Sequence, residues 1–314
     1  MTGIALVFPG QASQSTGMLD TLAAEWPQVE ATFAEASSAL DYDLWQLVQN
    51  NPDDQLDQTR YTQPAMLSAG VATYRVWQAA GGPKPAFMAG HSLGEYSAMV
   101  SAGILGFVDA VRLVSIRARL MQDAVAAGEG GMAAILGLDD DVVCEVCETV
   151  ASGRVVEPVN YNSPGQVVIA GHADAVARAI EAARVAGAKR AVDLPVSVPA
   201  HSSLMKPAAD ELAAYLDQTA FAAPEVPVVH NVDAETHADP EGIREALRRQ
   251  LYNPVRWTES VRAMAAGNVT RVAELGPGRV LAGLTRRIDR SMQGLPVDDP
   301  ASLEKALLAC SEAN

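Results

Sequence analysis

Hydrophobic and polar positions alternate between two patterns along the chain. Short apolar runs end at glycine-rich turns, and longer stretches repeat at helical spacing. Ile4 to Phe8 is an apolar run ended by Pro9-Gly10, which predicts a buried strand feeding a tight loop. Residues 18–40 carry a helical pattern. Phe87-Met88-Ala89 is a second run, ended by Gly90-His91-Ser92-Leu93-Gly94, and helical pattern resumes at Glu95. Residues 107–126 predict a strong helix with Val111, Val114, Ala118, Met121 and Val125 on one row. Arg117 has Leu113 and Met121 four residues to either side, so it projects from the apolar side of that helix.

Gly128-Glu129-Gly130-Gly131 breaks the pattern, and a compact unit follows. Strands are predicted at Met132 to Leu138, Val155 to Asn160, Gln166 to Ala170 and Arg190 to Leu194. Helices are predicted at Asp139 to Ser152 and Ala173 to Ala186. This βαββαβ order is that of a ferredoxin-like subdomain. It is placed at 127–195, inserted into a larger domain formed by 1–126 and 196–314. In the second part of the large domain, Val196-Ser197-Val198 leads to Pro199-Ala200-His201, with a helix from Leu204. A strand is expected at Val226 to Val232, helices near 240–251 and 257–266, a strand at Val269 to Leu275, and another helix after Gly276-Pro277-Gly278. Strands alternating with helices predict an α/β fold with a mostly parallel sheet.

The 314 residues carry 23 Lys+Arg against 38 Asp+Glu, a net charge of −15. Such a chain lacks the basic footprint of a general nucleic-acid binder and is a poor candidate for anionic membranes. No run approaches the ~18 apolar residues of a membrane span. No basic segment precedes Ile4, so no secretory leader is expected, and a cytoplasmic location is the default reading. Cys144, Cys147 and Cys310 are too few and too odd a set for a disulfide framework. Cys144 and Cys147 have CxxC spacing, but no second pair accompanies them. They read as core residues, and no metal site is expected.

Gly90-His91-Ser92-Leu93-Gly94 is a G-x-S-x-G segment between an apolar run and a helix. Glycines at both ends permit a sharp strand-to-helix turn that exposes a serine hydroxyl, and the Leu93 N–H there can stabilise an oxyanion. A serine nucleophile needs a base. Of the five histidines, His91 lies inside the turn and His172 and His237 sit in polar loop sequence. His201 is favoured and His230 is next, since the latter also reads as a core residue. A guanidinium on an apolar face is costly unless paired. Arg117 is therefore either a structural salt bridge or a clamp for a substrate carboxylate. Gln11 and Gln14, after the first strand, lie where α/β ligands bind. An amide or backbone N–H there could complete an oxyanion hole.

Phe8-Pro9-Gly10-Gln11 with Ser13-Gln14, followed by Gly90 to Glu95, resembles the malonyl-CoA:acyl carrier protein transacylase family of bacterial type II fatty acid synthesis. Asn160 to Gln166, Pro195 to His201, Gln250 to Val255 and Glu274 to Gly278 extend the resemblance over nearly the whole chain. It implies an α/β-hydrolase-like large domain with a ferredoxin-like insertion. It further implies Ser92 as nucleophile, His201 as base, Gln11 with the Leu93 N–H at the oxyanion, and Arg117 on the malonyl carboxylate. The Gln250 segment would orient His201 through a backbone carbonyl. Gln63, Asn162 and Gln166 would line the substrate. Two positions depart from the family pattern. Ala12 stands where glycine is usual, which predicts a reshaped loop, and Ala200 stands where serine is common.

The activity so implied is ping-pong transfer of malonyl from malonyl-CoA to the phosphopantetheine thiol of acyl carrier protein, without metal or prosthetic group. The oligomeric state is left open, with a monomer admitted. The rivals are a serine esterase or thioesterase, with Asp193 as the nearest candidate acid; a discrete acyltransferase serving a polyketide synthase; and a non-enzymatic carrier-protein adaptor. Acyl carrier proteins are strongly acidic, so docking on a chain of charge −15 needs a local basic patch. Lys189-Arg190 and Arg286-Arg287 are the candidates, with solvated faces paired to local acids as the alternative.

Overall fold

The computed structural model describes residues 3–196 and 198–311. The chain opens with β1 (Gly3–Phe8), then α1 (Asp20–Glu25), α2 (Gln28–Leu40), α3 (Leu44–Asn50) and α4 (Thr59–Ala79). Next come β2 (Phe87–Gly90), α5 (Gly94–Ser101) and α6 (Phe107–Asp123). The small unit is β3 (Gly130–Leu136), α7 (Asp140–Val150), β4 (Val156–Ser163), β5 (Gln166–His172), α8 (Ala173–Val185) and β6 (Arg190–Asp193). The chain continues through α9 (Lys206–Gln218), β7 (Val228–Val229), α10 (Pro240–Gln250), α11 (Trp257–Ala266), β8 (Val269–Leu275), α12 (Val280–Ile288), β9 (Gln293–Val297) and α13 (Pro300–Ser311).

Two sheets organise these elements. The larger has the order β7-β2-β1-β8-β9, and every pairing in it is parallel. Its central strand β1 is buried from Ile4 to Phe8, as the uninterrupted apolar run requires when helices cover both faces. The smaller sheet has the order β4-β5-β3-β6 and is antiparallel throughout. With α7 and α8 packed on one face around Ile135, Val167 and Ile169, it has ferredoxin-like topology. Its β4 is fastened to the large unit by main-chain bonds. Tyr161 donates to the Val255 carbonyl at 2.9 Å, and Val255 donates to Val159 at 2.9 Å.

Several boundaries differ from expectation. The pattern at 18–40 is two helices, because Pro27 cannot continue α1 and instead caps α2. Asn162 and Ser163 belong to β4 rather than to a loop. The turn to β5 is Pro164-Gly165, with Gly165 at φ 74°. The strand expected at 226–232 shrinks to two residues, because His230 turns back to bond Glu235. The Val196-Ser197-Val198 run ahead of His201 forms no strand in its described residues, and Ser197 lies outside them. Elements α3, α4, β9 and α13 complete the large unit.

Candidate active site

Register brings the two loops of the site together. Phe8 of β1 lies beside Gly90 of β2, so both chains leave the carboxyl edge of the sheet at the same level. The turn after β2 is possible only with glycine at its two ends. A Cβ on Gly90 would lie 1.9 Å from the Gly94 carbonyl carbon, and one on Gly94 would lie 2.1 Å from the Phe8 oxygen. Between them Ser92 has φ 51°, a left-handed conformation costing on the order of 1–3 kcal/mol for a non-glycine residue. Asn231 braces it. The Ser92 N–H donates to Asn231 Oδ1 at 2.7 Å, and Asn231 Nδ2 donates to the Gly90 carbonyl at 2.7 Å.

Ser92 Oγ lies 2.7 Å from His201 Nε2, and His201 Nδ1 lies 2.7 Å from the Gln250 carbonyl oxygen. A carbonyl can only accept, so the ring proton sits on Nδ1 and Nε2 is bare toward the serine hydroxyl. His201 also has a left-handed backbone, φ 66°, held by its N–H on the Leu251 carbonyl at 3.0 Å. Burial, followed by the nearby Arg117 charge, depresses its pKa to about 3 against the opposing Gln250 bond. The Leu93 N–H and the Gln11 N–H have no partner among the described residues. The Gln11 side chain donates to Thr59 Oγ1 at 3.3 Å, so its backbone N–H is the group left for an oxyanion. Ala12 adopts φ 78°. The loop expected to be reshaped is left-handed at this position, carrying strain where glycine would have none.

Arg117 is 1% exposed and lies on the side of α6 that carries Met121 into the cleft. Its Nη1 donates to Gln63 Oε1 at 2.8 Å and its Nη2 to Gln250 Oε1 at 3.0 Å. The Tyr96 ring centroid lies 5.5 Å from the guanidinium carbon. Among the described residues the Nε–H has no partner and no carboxylate comes within ion-pair distance. The structural salt bridge considered for this residue is therefore absent from these contacts. The cation is held by neutral amides in a dry site, where a free carboxylate would be its natural partner.

A cleft of about 270 Å³ joins these groups. The large unit contributes Gln11, Gln63, Ser92, Leu93, Arg117 and His201. The small sheet contributes Met132, Ala134, Asn160, Asn162, Gln166 and Val168. Asn162 Oδ1 lies 2.8 Å from His91 Nε2, so the small sheet touches the turn beside the serine. Gln250 stands behind Arg117 and His201, off the cleft surface. A larger groove of about 640 Å³ between α8 and β6 contains Asp193 but no serine–histidine pair. Asp193 is exposed on β6, and the ring nitrogen that a triad acid would occupy is engaged by the Gln250 carbonyl.

His230 is a core residue rather than a base, with Nδ1 on Glu95 Oε1 at 2.7 Å. His172 bonds the Val155 N–H. The Cys147 thiol is buried and pushed up to about 12, and Cys144 meets the Tyr161 hydroxyl at 3.6 Å. Lys189 and Arg190 are exposed at the start of β6, away from the cleft lining. Arg286 and Arg287 are exposed near the end of α12, where Arg287 donates to Gln166 Oε1 at 3.0 Å. Among the described residues neither pair forms an ion pair, and no helix is long and apolar enough to cross a membrane. Glu95, Asn231 and the Gln250 side chain were not singled out from sequence.

A parallel α/β unit with a cleft-lining serine on a strand-to-helix turn, crossed by a ferredoxin-like unit, defines an acyl transferase architecture. Residues 5–299 match the family described as "Acyl transferase domain", and the chain belongs to that family. It is 59% identical over 307 residues to the malonyl CoA-acyl carrier protein transacylase of Salmonella typhimurium, covering 98% of this chain and 99% of the relative. It is 43% identical to the Bacillus subtilis protein of the same name, over 100% and 99% of the two chains. Among solved structures it is similar to an acyl carrier protein S-malonyltransferase from Vibrio cholerae, with TM-score 0.94, 56% identity, and 97% and 99% coverage. It is also similar to a malonyl-transacylase in complex with its type II PKS acyl-carrier protein, with TM-score 0.97, 55% identity, and 98% and 100% coverage.

Proposed function

We propose that this protein transfers malonyl from malonyl-CoA to the thiol of acyl carrier protein through an ester on Ser92, supplying the extender unit for fatty acid synthesis. The observation that carries the reading is the chain Ser92 Oγ–His201 Nε2 and His201 Nδ1–Gln250 O beside a buried arginine held by two amide oxygens, with no carboxylate in contact among the described residues.

His201 Nε2 takes the hydroxyl proton as Ser92 Oγ attacks the thioester carbonyl. The Leu93 and Gln11 N–H groups receive the charge that develops on the carbonyl oxygen. As the tetrahedral intermediate collapses, the C–S bond breaks and the CoA sulfur leaves with the proton from His201. The carrier thiol then attacks the malonyl ester, giving its proton to His201, and Ser92 recovers its own. Throughout, Arg117 holds the malonyl carboxylate, with Gln63, Asn162 and Gln166 along the acyl chain. Every group employed comes from one chain, and the reaction requires no metal or prosthetic group. We read 1–126 with 196–314 as the catalytic unit, 127–195 as the unit that closes the cleft, and the cytoplasm as the location.

The test is intact-mass detection of a malonyl adduct on Ser92 after mixing with malonyl-CoA, followed by a chase. Transfer to carrier thiol is expected. Release only to water would make the protein a thioesterase, and no adduct would remove the reading. The similarity to the transacylase complexed with a polyketide carrier favours one second reading, in which the same chemistry serves a polyketide carrier. Rates with purified carriers of both kinds separate the two.

A further inference from the structure

Glu95 lies one turn beyond the serine on α5 and is fully buried, and no step above employs it. Its Oε1 meets His230 Nδ1 at 2.7 Å. Its Oε2 accepts the Asn231 N–H at 3.0 Å and Gln250 Nε2 at 2.9 Å. The same Gln250 Nε2 donates to the Ser92 carbonyl at 2.9 Å.

These contacts fix which way the Gln250 amide faces. The Ser92 carbonyl has no proton to give, and the Glu95 oxygen that takes the Asn231 N–H is likewise an acceptor. The amide NH2 must therefore point at both, which leaves Oε1 toward Arg117 at 3.0 Å. With the amide reversed, its NH2 would meet a guanidinium that can only donate. Glu95 thus reaches Arg117 through an uncharged relay and does not touch it. The guanidinium is aimed by two amide oxygens, yet its charge is not neutralised by direct contact with a carboxylate. The backbone carbonyl of Gln250 also orients His201, so one residue joins the recognition and base sides of the site.

We propose that Glu95 is a positioning residue for acyl selectivity, locking the Gln250 amide so that Arg117 stays aimed and available to a substrate carboxylate. This rests on the reading of Arg117 as the malonyl clamp. Glu95→Gln can still accept both N–H groups on one oxygen and should keep the lock, whereas Glu95→Ala cannot. Gln250→Met removes the relay while retaining the backbone carbonyl and Glu95.

The experiment is the ratio of kcat/KM for loading from malonyl-CoA against acetyl-CoA in the native protein and the three variants. Glu95→Ala and Gln250→Met are each expected to lower the ratio tenfold or more, with Glu95→Gln within about threefold of native. Equal loss on both thioesters in Glu95→Ala would make the role structural and overturn the proposal. So would a Glu95→Gln variant as unselective as Glu95→Ala. If Glu95→Ala does not fold, an unchanged ratio in Gln250→Met overturns it. A native protein that forms no malonyl ester would instead overturn the underlying reading, and that result is separate because it precedes any variant.

Discussion

The two sides of the cleft are built by opposite means. The serine–histidine side is made by backbone. Ser92 and His201 both have left-handed φ angles, and the turn around Ser92 closes because Gly90 and Gly94 carry no Cβ, which at either position would overlap main chain. The arginine side is made by side chains on regular helices. Arg117 on α6 donates hydrogen bonds to the side-chain amide oxygens of Gln63 on α4 and Gln250 at the end of α10. A strained backbone fixes a reacting atom where small displacements are costly to rate. An amide cradle holds a charge in place without neutralising it, which suits discrimination between acyl groups. Substitutions on the first side should therefore remove chemistry, and substitutions on the second should redistribute it among substrates.

The largest effect expected is on the backbone-built side. Ser92→Ala deletes one hydroxyl and should abolish the malonyl adduct in intact-mass spectra while leaving thermal unfolding close to native. A covalent malonyl adduct in that variant would show that another group is the nucleophile. His201→Ala should slow both half-reactions by ~10²–10⁴-fold, since one base serves each. A comparable loss in His230→Ala with His201→Ala unaffected would exchange the two histidines.

The serine half of the backbone-built side was legible in the sequence because it is local, whereas His201, 109 positions away, was favoured over His230 by its loop and fixed as the base only by family resemblance. An apolar strand, G-x-S-x-G and a resumed helix occupy consecutive positions, and each has its own steric cause. The cradle was only half legible. Arg117 announced itself by its place among Leu113 and Met121. The residues that hold it lie 54 and 133 positions away, and amides on buried helix faces leave no periodic mark. Gln63 came from family resemblance, and the Gln250 side chain was missed because only its carbonyl was in view. Glu95 was read merely as the first residue of a helix. In the fold, β9 and α13 escaped because Gln293-Gly294-Leu295-Pro296-Val297 contains the two residues least typical of strands. Its place at the sheet edge, beside β8 alone, tolerates them.

Arg117→Ala sharpens the comparison from the other side. It should lower the malonyl-to-acetyl ratio of kcat/KM roughly 10- to 100-fold, the range expected for losing a hydrogen-bonded charge pair, with a much smaller change on acetyl-CoA. Unchanged selectivity with lower thermal stability would make the arginine a core support.

The depressed His201 pKa, about 3, gives the base side a pH signature. An ordinary imidazole is protonated below ~6.5, but here Nε2 stays bare, so malonyl loading should not fall as pH passes through that value. The sign for stability is opposite to that of a histidine gaining an acidic partner. As pH falls below ~6.5 the unfolded chain takes up a proton that the folded site refuses, so stability drops toward about 3. His201→Ala should flatten that slope in thermal unfolding measured against pH. A loading rate that halves near the ordinary imidazole value would show that the site does not hold the ring neutral.

The smallest effect lies outside both sides and should touch only the second half-reaction. With a net charge of −15, long-range attraction cannot bring an acidic carrier to the cleft, so local cations must. The two candidate pairs are not equivalent. The aliphatic stem of Lys189 packs over Gly137, at the far edge of the small sheet. Arg287 reaches across to Gln166, which lines the cleft, and Val280 on the same helix is half exposed at its lip. Arg286 and Arg287 are therefore the better placed. Reversing both to Glu should raise KM for carrier several-fold and leave malonyl loading from CoA nearly unchanged, while Lys189→Glu with Arg190→Glu should do less. Added salt should weaken the native interaction and narrow the gap between variants, since screening shortens the field to ~10 Å at 0.1 M. Equal loss in both half-reactions would mean that the arginines hold α12 against the small sheet or contact CoA, and carrier docking would have to be sought elsewhere on the cleft mouth.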